Sequence, residues 1–317
     1  MNVNGKLSQK AKCTSDYELL CAVFSPSGDL MCGGCLDGNL EVYTPLDGKL
    51  QKKCNDNPPE KSFPISCIRF RPKLNHVLVS HSSGEVKLWD ISANVCINST
   101  KENRQGMTNS WSEDANCFVT TGVDKNVNIY DAKSCQIGCS VVHTGVKGNE
   151  ICGDQPRVFS AKFLPGDSTA LITAGWDGTI KFWDLRSPGN FIREITGPVI
   201  ASDALDVEPT SKYILTGSFR KSRACQVHAW EDGKELATLG DGMMSQGYSV
   251  CWVGPSMVMF GGGYRNLMKV IKTADNEVVG EVLEVPEVVY SVDYTAAGGN
   301  LVSMVTGKDI YVYQLAL

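Results

Sequence analysis

The chain has 317 residues, of which 42% are hydrophobic, and carries a formal net charge of -5 at pH 7. This length and apolar content are enough for a sizeable hydrophobic core. The acidic balance argues against nucleic acid as the main partner, because phosphate binding needs a basic face.

The start of the chain and its thirteen cysteines indicate a reducing compartment. The opening MNVNGKLSQKAKC lacks the apolar core of a signal peptide, and no stretch is long and apolar enough to span a bilayer. Most cysteines lie inside apolar runs, where a thiol acts as a small hydrophobe. We therefore expect reduced, structural cysteines and a protein of the cytoplasm, the nucleus or both.

Seven hairpins of similar design follow one another along the chain. The fourth is the most explicit: it reads ITAGWDGTIKFWDLRSP, in which Asp177-Gly178 supply the turn and Thr179 to Trp183 alternate as in a strand. Each hairpin ends on a bulky side chain, and the seven are Tyr43, Trp89, Tyr130, Trp183, Trp230, Ile271 and Tyr313. Their steps of 41 to 53 residues predict a repeat protein with one structural unit per step.

Two further strands accompany each hairpin. The strand before it ends on another bulky residue, and this second column comprises Phe24, Phe70, Trp111, Phe163, Val207, Trp252 and Tyr294. A fourth strand follows, for example at residues 95–98, 136–141 and 235–239. Four short strands per repeat, joined by Gly-rich turns, are typical of a β-propeller blade.

The Trp-Asp endings and the repeat count resemble the WD40-repeat β-propeller family over the whole chain. The fourth repeat is most similar to the WD40 propellers of mitotic checkpoint and messenger-RNA export complexes. The resemblance implies an all-β, seven-bladed propeller with four antiparallel strands per blade, built as a single domain. We expect its blades at residues 15–54, 62–100, 104–142, 156–196, 199–240, 245–283 and 286–317, with residues 6–12 as the outer strand that completes blade seven and closes the ring.

The family commonly links the hairpin Trp to a Thr or Ser, an Asp and a His by hydrogen bonds. Thr173, Asp177 and Trp183 match this pattern in blade four, and Thr121 and Asp124 match it in blade three. We expect Trp89 and Trp230 to be buried between blades in the same way as Trp183. The Gly-His dipeptide that often precedes each repeat is absent, so we expect the polar network to be partial.

No residue pattern predicts catalysis, a cofactor or a metal. The sequence has no Gly-x-Ser-x-Gly motif and no phosphate-binding loop. Cys32 and Cys35 have metal-ligand spacing, but no second pair accompanies them, so we interpret them as core thiols rather than a zinc or redox site.

An aromatic residue followed by Arg recurs in the turns of repeats five and six, at Phe219-Arg220 and Tyr264-Arg265. In WD40 rings these turns share one face, called the top face, with the links between blades. We predict a protein-binding surface there, formed by Trp176, Phe219, Arg220, Lys221, Arg223, Tyr264 and Arg265. The alternatives are that the arginines bond within the ring and that Trp176 packs between blades.

The predicted function is a non-catalytic scaffold that binds a peptide or protein segment on the top face. The cations favour an acidic or phosphorylated segment, and we expect a monomer within a larger complex, without a membrane partner. The alternative is a propeller enzyme that acts on a small molecule at the central channel. The scattered positions of His76, His81, His143 and His228 argue against that alternative.

Overall fold

The computed structural model describes residues 1–56, 62–144, 157–240 and 242–316. Within them the chain forms seven antiparallel sheets arranged as the blades of a propeller, and one short helical turn, α1 (Ala297–Asn300). The prediction of an all-β, seven-bladed propeller with four strands per blade is confirmed. No helix of the described residues is long and apolar enough to cross a membrane.

The first four blades follow the chain in order. Blade one comprises β3 (Leu19–Phe24), β4 (Met31–Cys35), β5 (Leu40–Tyr43) and β6 (Leu50–Cys54). Blade two comprises β7 (Ile65–Phe70), β8 (His76–His81), β9 (Glu85–Asp90) and β10 (Val95–Lys101). Blade three comprises β11 (Gly106–Trp111), β12 (Cys117–Gly122), β13 (Asn126–Asp131) and β14 (Ile137–Val142). Blade four comprises β15 (Val158–Leu164), β16 (Asp167–Gly175), β17 (Thr179–Asp184) and β18 (Arg193–Thr196).

The last three blades continue this order, and the N-terminal segment adds two strands to them. Blade five comprises β19 (Leu205–Val207), β20 (Tyr213–Gly217), β21 (Cys225–Ala229) and β22 (Glu235–Leu239). Blade six comprises β23 (Gln246–Val253), β24 (Met257–Gly263), β25 (Leu267–Lys272) and β26 (Val278–Leu283). Blade seven comprises β27 (Ser291–Thr295), β28 (Leu301–Thr306) and β29 (Asp309–Leu315). The two N-terminal strands are β1 (Asn2–Gly5) and β2 (Leu7–Thr14).

The hydrophobic core is divided into seven clusters, each lying between two adjacent blades. Middle strands such as β4, β24 and β28 are buried at every position, because each blade is covered on both faces by its neighbours. The outermost strand β10 instead alternates between exposed and half-buried side chains. This packing explains why the middle strands show little polar alternation in the sequence.

The ring is closed by its N-terminal segment. Strand β2 pairs antiparallel with β29, from Leu7 opposite Leu315 to Thr14 opposite Asp309, and becomes the fourth strand of blade seven. Strand β1 pairs with β26 and adds a fifth strand to blade six. Closure by the N-terminal strand was predicted and is confirmed, whereas the extra strand on blade six was not predicted. The segment therefore fastens two adjacent blades.

The hairpin column is displaced by two residues in blade five. His228 lies opposite Ile214 on β20 and Glu235 on β22. The register of the third and fourth strands shifts at His228, as it does at the column residues Tyr43, Tyr130 and Ile271. The column position of blade five is therefore occupied by His228 and not by Trp230. His228 is buried, as are Trp89 and Trp183 in their own blades. Trp230 is half-buried and meets Phe182 edge-on at 5.2 Å between ring centroids. The assignment of Trp230 to the buried column was wrong.

The first strand of each blade contacts the first strands of its two neighbours, so these seven strands surround the central axis. A first strand runs antiparallel to the second, which places the start of one beside the end of the other. The links between blades and the turns from second to third strands therefore open on the same end of the channel. This end is the top face. Residues 57–61 and 145–156, in its two longest links, lie outside the described residues.

Candidate functional site

Blade four holds a complete buried polar network. The indole N–H of Trp183 donates to the Thr173 hydroxyl at 2.9 Å, and the same hydroxyl bonds Nδ1 of His143 at 2.7 Å. His143 Nε2 lies 3.2 Å from a carboxylate oxygen of Asp177, which also receives the Thr179 hydroxyl at 2.8 Å. Burial pushes the pKa of Asp177 upward, but the hydrogen bond and charge of His143 outweigh it and lower that pKa. His143 was not assigned to this network from the sequence, where no glycine precedes it.

Blade three also has a buried polar network, which is formed by different residues. The buried Glu102 accepts hydrogen bonds from the Tyr130 hydroxyl at 2.7 Å and the Thr120 hydroxyl at 2.7 Å. Arg104 bridges Glu102 at 2.9 Å and Asp124 at 2.6 Å. Thr120, opposite Asn128 in the register, is the counterpart of Thr173. The assignment of Thr121 was wrong by one residue, because neighbouring side chains of a strand point to opposite faces; Thr121 bonds Thr108 at 3.0 Å instead.

The predicted arginines of the top face have different environments. Arg220 is half-buried, and its guanidinium donates to Ser218 Oγ at 3.0 Å and to Gln226 Oε1 at 2.8 Å. Burial lowers the pKa of Arg220. Arg265 is exposed, and no side-chain ion pair or hydrogen bond of its guanidinium occurs among the described residues. Bonding within the ring, the alternative for both arginines, therefore applies to Arg220 and not to Arg265.

The remaining cations of this patch lie between blades five and six. Lys221 Nζ stands 3.9 Å from the centroid of the Tyr264 ring, which is 61% exposed. Arg223, largely exposed, forms an ion pair with Glu235 at 2.5 Å. An exposed ion pair of this kind holds little energy, so Arg223 can exchange its partner at small cost. We refer to Lys221, Arg223, Tyr264 and Arg265 as the basic patch.

Five half-buried aromatic rings contact one another in sequence at the top of the channel, from blade four to blade seven. Trp176 meets Phe219 at 5.3 Å between centroids, and Phe219 meets Tyr248 at 5.4 Å. Phe159 extends the arc from Trp176 at 6.1 Å, and Tyr290 extends it from Tyr248 at 5.8 Å. We call these five rings the aromatic arc. Trp176 and Phe219 were predicted at this face; the other three were not.

A β-bulge positions two of the missed rings. The first strands of blades four and six each have a register shift near their start, and the residues left unpaired are Phe159 and Tyr248. A bulge re-aims its extra side chain, here towards the channel mouth. Tyr290 stands at the equivalent place in blade seven. Each of the three lies four residues before the second bulky column, at Phe163, Trp252 and Tyr294, and this spacing is the signal that could have revealed them.

Below the arc the channel is crossed by charged side chains. Arg69 of blade two forms an ion pair with Asp203, which precedes the first strand of blade five on the other side of the axis. Asp203 also receives Lys162 Nζ at 3.2 Å and the Ser160 hydroxyl at 2.7 Å. Burial, followed by the charge of Arg69, lowers the pKa of Lys162 to about 8. These groups therefore bond to one another across the channel.

Two more carboxylates fasten neighbouring blades near the axis. Asp206 accepts the backbone N–H of Trp252 at 2.9 Å, and Asp293 accepts that of Phe24 at 2.7 Å. Burial raises the pKa of Asp293 to about 6, because the charged form is poorly solvated there. Both carboxylates therefore have structural hydrogen bonds that account for their position.

Cys32 and Cys35 are buried in β4 and belong to different core clusters, on opposite faces of blade one. Their thiols therefore cannot ligate one ion together. Burial raises the pKa of Cys32 and of Cys35, which keeps both thiols protonated. Among the described residues, no group of three or more His, Cys, Asp and Glu side chains could hold a metal ion.

Fold and site together define a seven-bladed propeller with an aromatic channel mouth and a basic patch on its top face. The family model described as "WD domain, G-beta repeat" matches residues 145–184. This is the repeat of blade four, where the polar network is complete. In this repeat and in its seven-bladed architecture, the chain resembles the WD40-repeat propeller family.

Curated relatives match parts of the chain. A "Poly(A)+ RNA export protein" of Schizosaccharomyces pombe is 28% identical over 134 residues, which are 41% of this chain and 34% of that protein. "Protein Rae1" of Drosophila melanogaster is 27% identical over 139 residues, 42% of this chain and 36% of that protein. A "Ribosome biogenesis protein WDR12 homolog" of Culex quinquefasciatus is 28% identical over 146 residues, 45% of this chain and 32% of that protein. The matches span about a third of each relative's length.

Proposed function

We propose that this protein is a non-catalytic scaffold that binds a segment of a partner protein on its top face. The observation that carries the proposal is the basic patch beside the aromatic arc. Arg265 and Lys221 present positive charge on an otherwise acidic protein, and aromatic residues and arginine are enriched at protein interfaces. The partner segment is acidic or phosphorylated, because guanidinium and ammonium groups bind carboxylate and phosphate.

The channel supports a scaffold better than an enzyme. Its ionisable side chains, Arg69, Lys162 and Asp203, bond to one another, and Asp206 and Asp293 bond to backbone. A catalytic acid, base or nucleophile has to face the substrate instead. Relatives named for RNA export and ribosome biogenesis support work in the nucleus and cytoplasm. We propose that the protein acts there as one copy within a larger complex.

Charge reversal at Arg265 tests the proposal. Partners are first identified by affinity purification of the tagged protein and mass spectrometry, and the binding segment is then measured by fluorescence anisotropy. Arg265→Glu should fold normally and weaken binding by about 2–5 kcal/mol if the contact is desolvated. Lys10→Glu is the matched control, because Lys10 is an exposed cation on strand β2, away from the top face.

Comparing the affinities of a phosphorylated and an unphosphorylated form of the segment shows whether the protein binds phosphate or carboxylate groups. The salt dependence of the affinity shows whether the Arg265 contact is buried or lies at the rim of the interface, since only rim contacts weaken steeply with salt. If Arg265→Glu retains the parent's partners with unchanged affinity, the binding surface lies elsewhere. Arg220→Glu should instead lower the melting temperature, because it breaks two hydrogen bonds within blade five.

A further inference from the structure

The basic patch accounts for an acidic partner but leaves the aromatic arc unexplained. All five rings are only partly buried at the open end of the channel, although large apolar side chains are usually withdrawn from solvent. A contiguous apolar patch rimmed by polar groups marks an interaction site. The arc has this form, since the Lys221 and Arg265 side chains lie in the turns of the same blades.

The rings are arranged to receive a side chain rather than a stack of bases. Adjacent planes meet at 56° and 47° around Trp176 and at 85° and 84° around Tyr248. Bases stack on the open faces of aromatic rings, and at these angles each ring covers part of a neighbour's face. Each ring is instead held by the next, so little side-chain freedom is lost when an apolar group packs among them.

The charged groups below the arc limit how deep a guest can enter. Lys162 is three residues beyond Phe159 on strand β15, which is about 10 Å along the strand. Asp203 is held between Lys162, Arg69 and Ser160, so its carboxylate is already satisfied. A guest side chain that passed the rings would therefore meet charges that are already paired.

The charge around the mouth selects the chemistry of that side chain. Lys221 and Arg265 lie in the turns of blades five and six, whereas the charges of Arg69 and Lys162 in the channel are balanced by Asp203. A lysine or arginine would meet the like charge of Lys221 and Arg265, whereas acidic residues beside an apolar side chain would meet opposite charge. We infer that the aromatic arc receives one large apolar side chain, such as Phe, Leu or Met, from a partner segment whose flanking residues are acidic. This inference rests on the proposed function and specifies its partner.

The test uses an array of synthetic 12-residue peptides with the full-length protein. Each peptide has an acidic background of Glu, Asp, Gly and Ser and a single central residue, either Phe, Leu, Met, Ala or Lys. The wild-type protein should bind peptides with Phe, Leu or Met at least tenfold more tightly than those with Ala or Lys. Phe219→Ala should remove this preference, and Phe219→Leu should retain part of it. Tyr213→Ala is the control, since Tyr213 is a 41% exposed aromatic at the opposite end of blade five.

The outcomes separate this inference from the proposed function. If Arg265→Glu lowers the affinity for every peptide while the central residue has no effect, the scaffold proposal survives and the inference of an apolar side chain is wrong. Tighter binding of the Lys peptide would also overturn the inference. If no peptide of the array binds, the inference fails, whereas the proposed function is decided by its own test with Arg265→Glu. A 12-nucleotide oligo(A) RNA that competes for binding and depends on Phe219 would replace the peptide partner with RNA. Thermal melts of each variant confirm that it is folded.

Discussion

Replacing Thr173 by valine removes one hydroxyl from the network of blade four and leaves the shape of the side chain nearly unchanged. That hydroxyl bonds the Trp183 indole N–H at 2.9 Å and His143 Nδ1 at 2.7 Å, and all three residues are almost fully buried. Water cannot take the place of the missing oxygen without repacking of the blade. The Trp183 N–H and the His143 nitrogen therefore lose this partner.

The expected cost follows from these two groups. A buried donor or acceptor that loses its partner costs about 1–3 kcal/mol, so Thr173→Val, which affects two such groups, should lower the free energy of unfolding by about 2–6 kcal/mol. Thr216 is the matched control, because it occupies the same register position in blade five and is equally buried. Its hydroxyl makes a single bond of 3.3 Å, to the Gln226 carbonyl. Thr216→Val should therefore cost about 1 kcal/mol or less.

The assay is urea unfolding at pH 7, followed by tryptophan fluorescence and compared at unchanged m-value. A double-mutant cycle with Trp183→Phe isolates the Thr173–Trp183 contact, and residues that share a hydrogen bond should show a coupling of about 0.5–3 kcal/mol. If Thr173→Val costs no more than Thr216→Val, the network contributes nothing beyond ordinary burial and the reasoning is refuted.

Two further predictions concern ring closure and pH. Deleting residues 1–12 should lower the melting temperature and promote aggregation, because β29 loses its partner strand. Deleting residues 1–5 removes only β1 and should have a smaller effect. Differential scanning fluorimetry and light scattering test this, and equal melting temperatures of the full chain and both deletions would contradict it. Burial lowers the pKa of His228, so the folded state favours the neutral ring and loses stability as pH falls below the unfolded value of about 6.5. In urea unfolding at pH 7, 6 and 5, His228→Leu should lose less stability on acidification than the parent protein. Part of the loss should remain, because burial also lowers the pKa of His81. If the stability of the two proteins falls equally with pH, His228 does not contribute.

The fold could be predicted because the same hairpin pattern recurs in every blade. Seven copies of one hairpin set the blade count, and the predicted closing strand at residues 6–12 corresponds to β2, which pairs with β29. Strand β1 could not be predicted in this way. All four residues of Asn2–Gly5 are exposed, so no apolar alternation marks them, and the strand is defined by backbone pairing with β26.

The site was harder to predict because register depends on bulges. In blade five the nearest aromatic residue, Trp230, was assigned to the column that His228 fills, because this column position holds no aromatic residue and the turn before β21 is longer than in other blades. The channel-mouth rings Phe159 and Tyr248 were missed because a bulge leaves no trace in composition. His143 joins residues 30 and 34 positions away, a distance at which a single sequence contains no pairing signal.

The closing strand has a consequence for synthesis. Strand β2 leaves the ribosome about 300 residues before β29, the strand with which it pairs. At about 5–20 residues per second, it waits roughly 15–60 s without a partner. During this time Leu7, Ala11 and Cys13, all buried in the ring, face solvent or a chaperone. The exposed residues between them include Lys10 and Lys12, and such charges oppose aggregation of an unpaired strand.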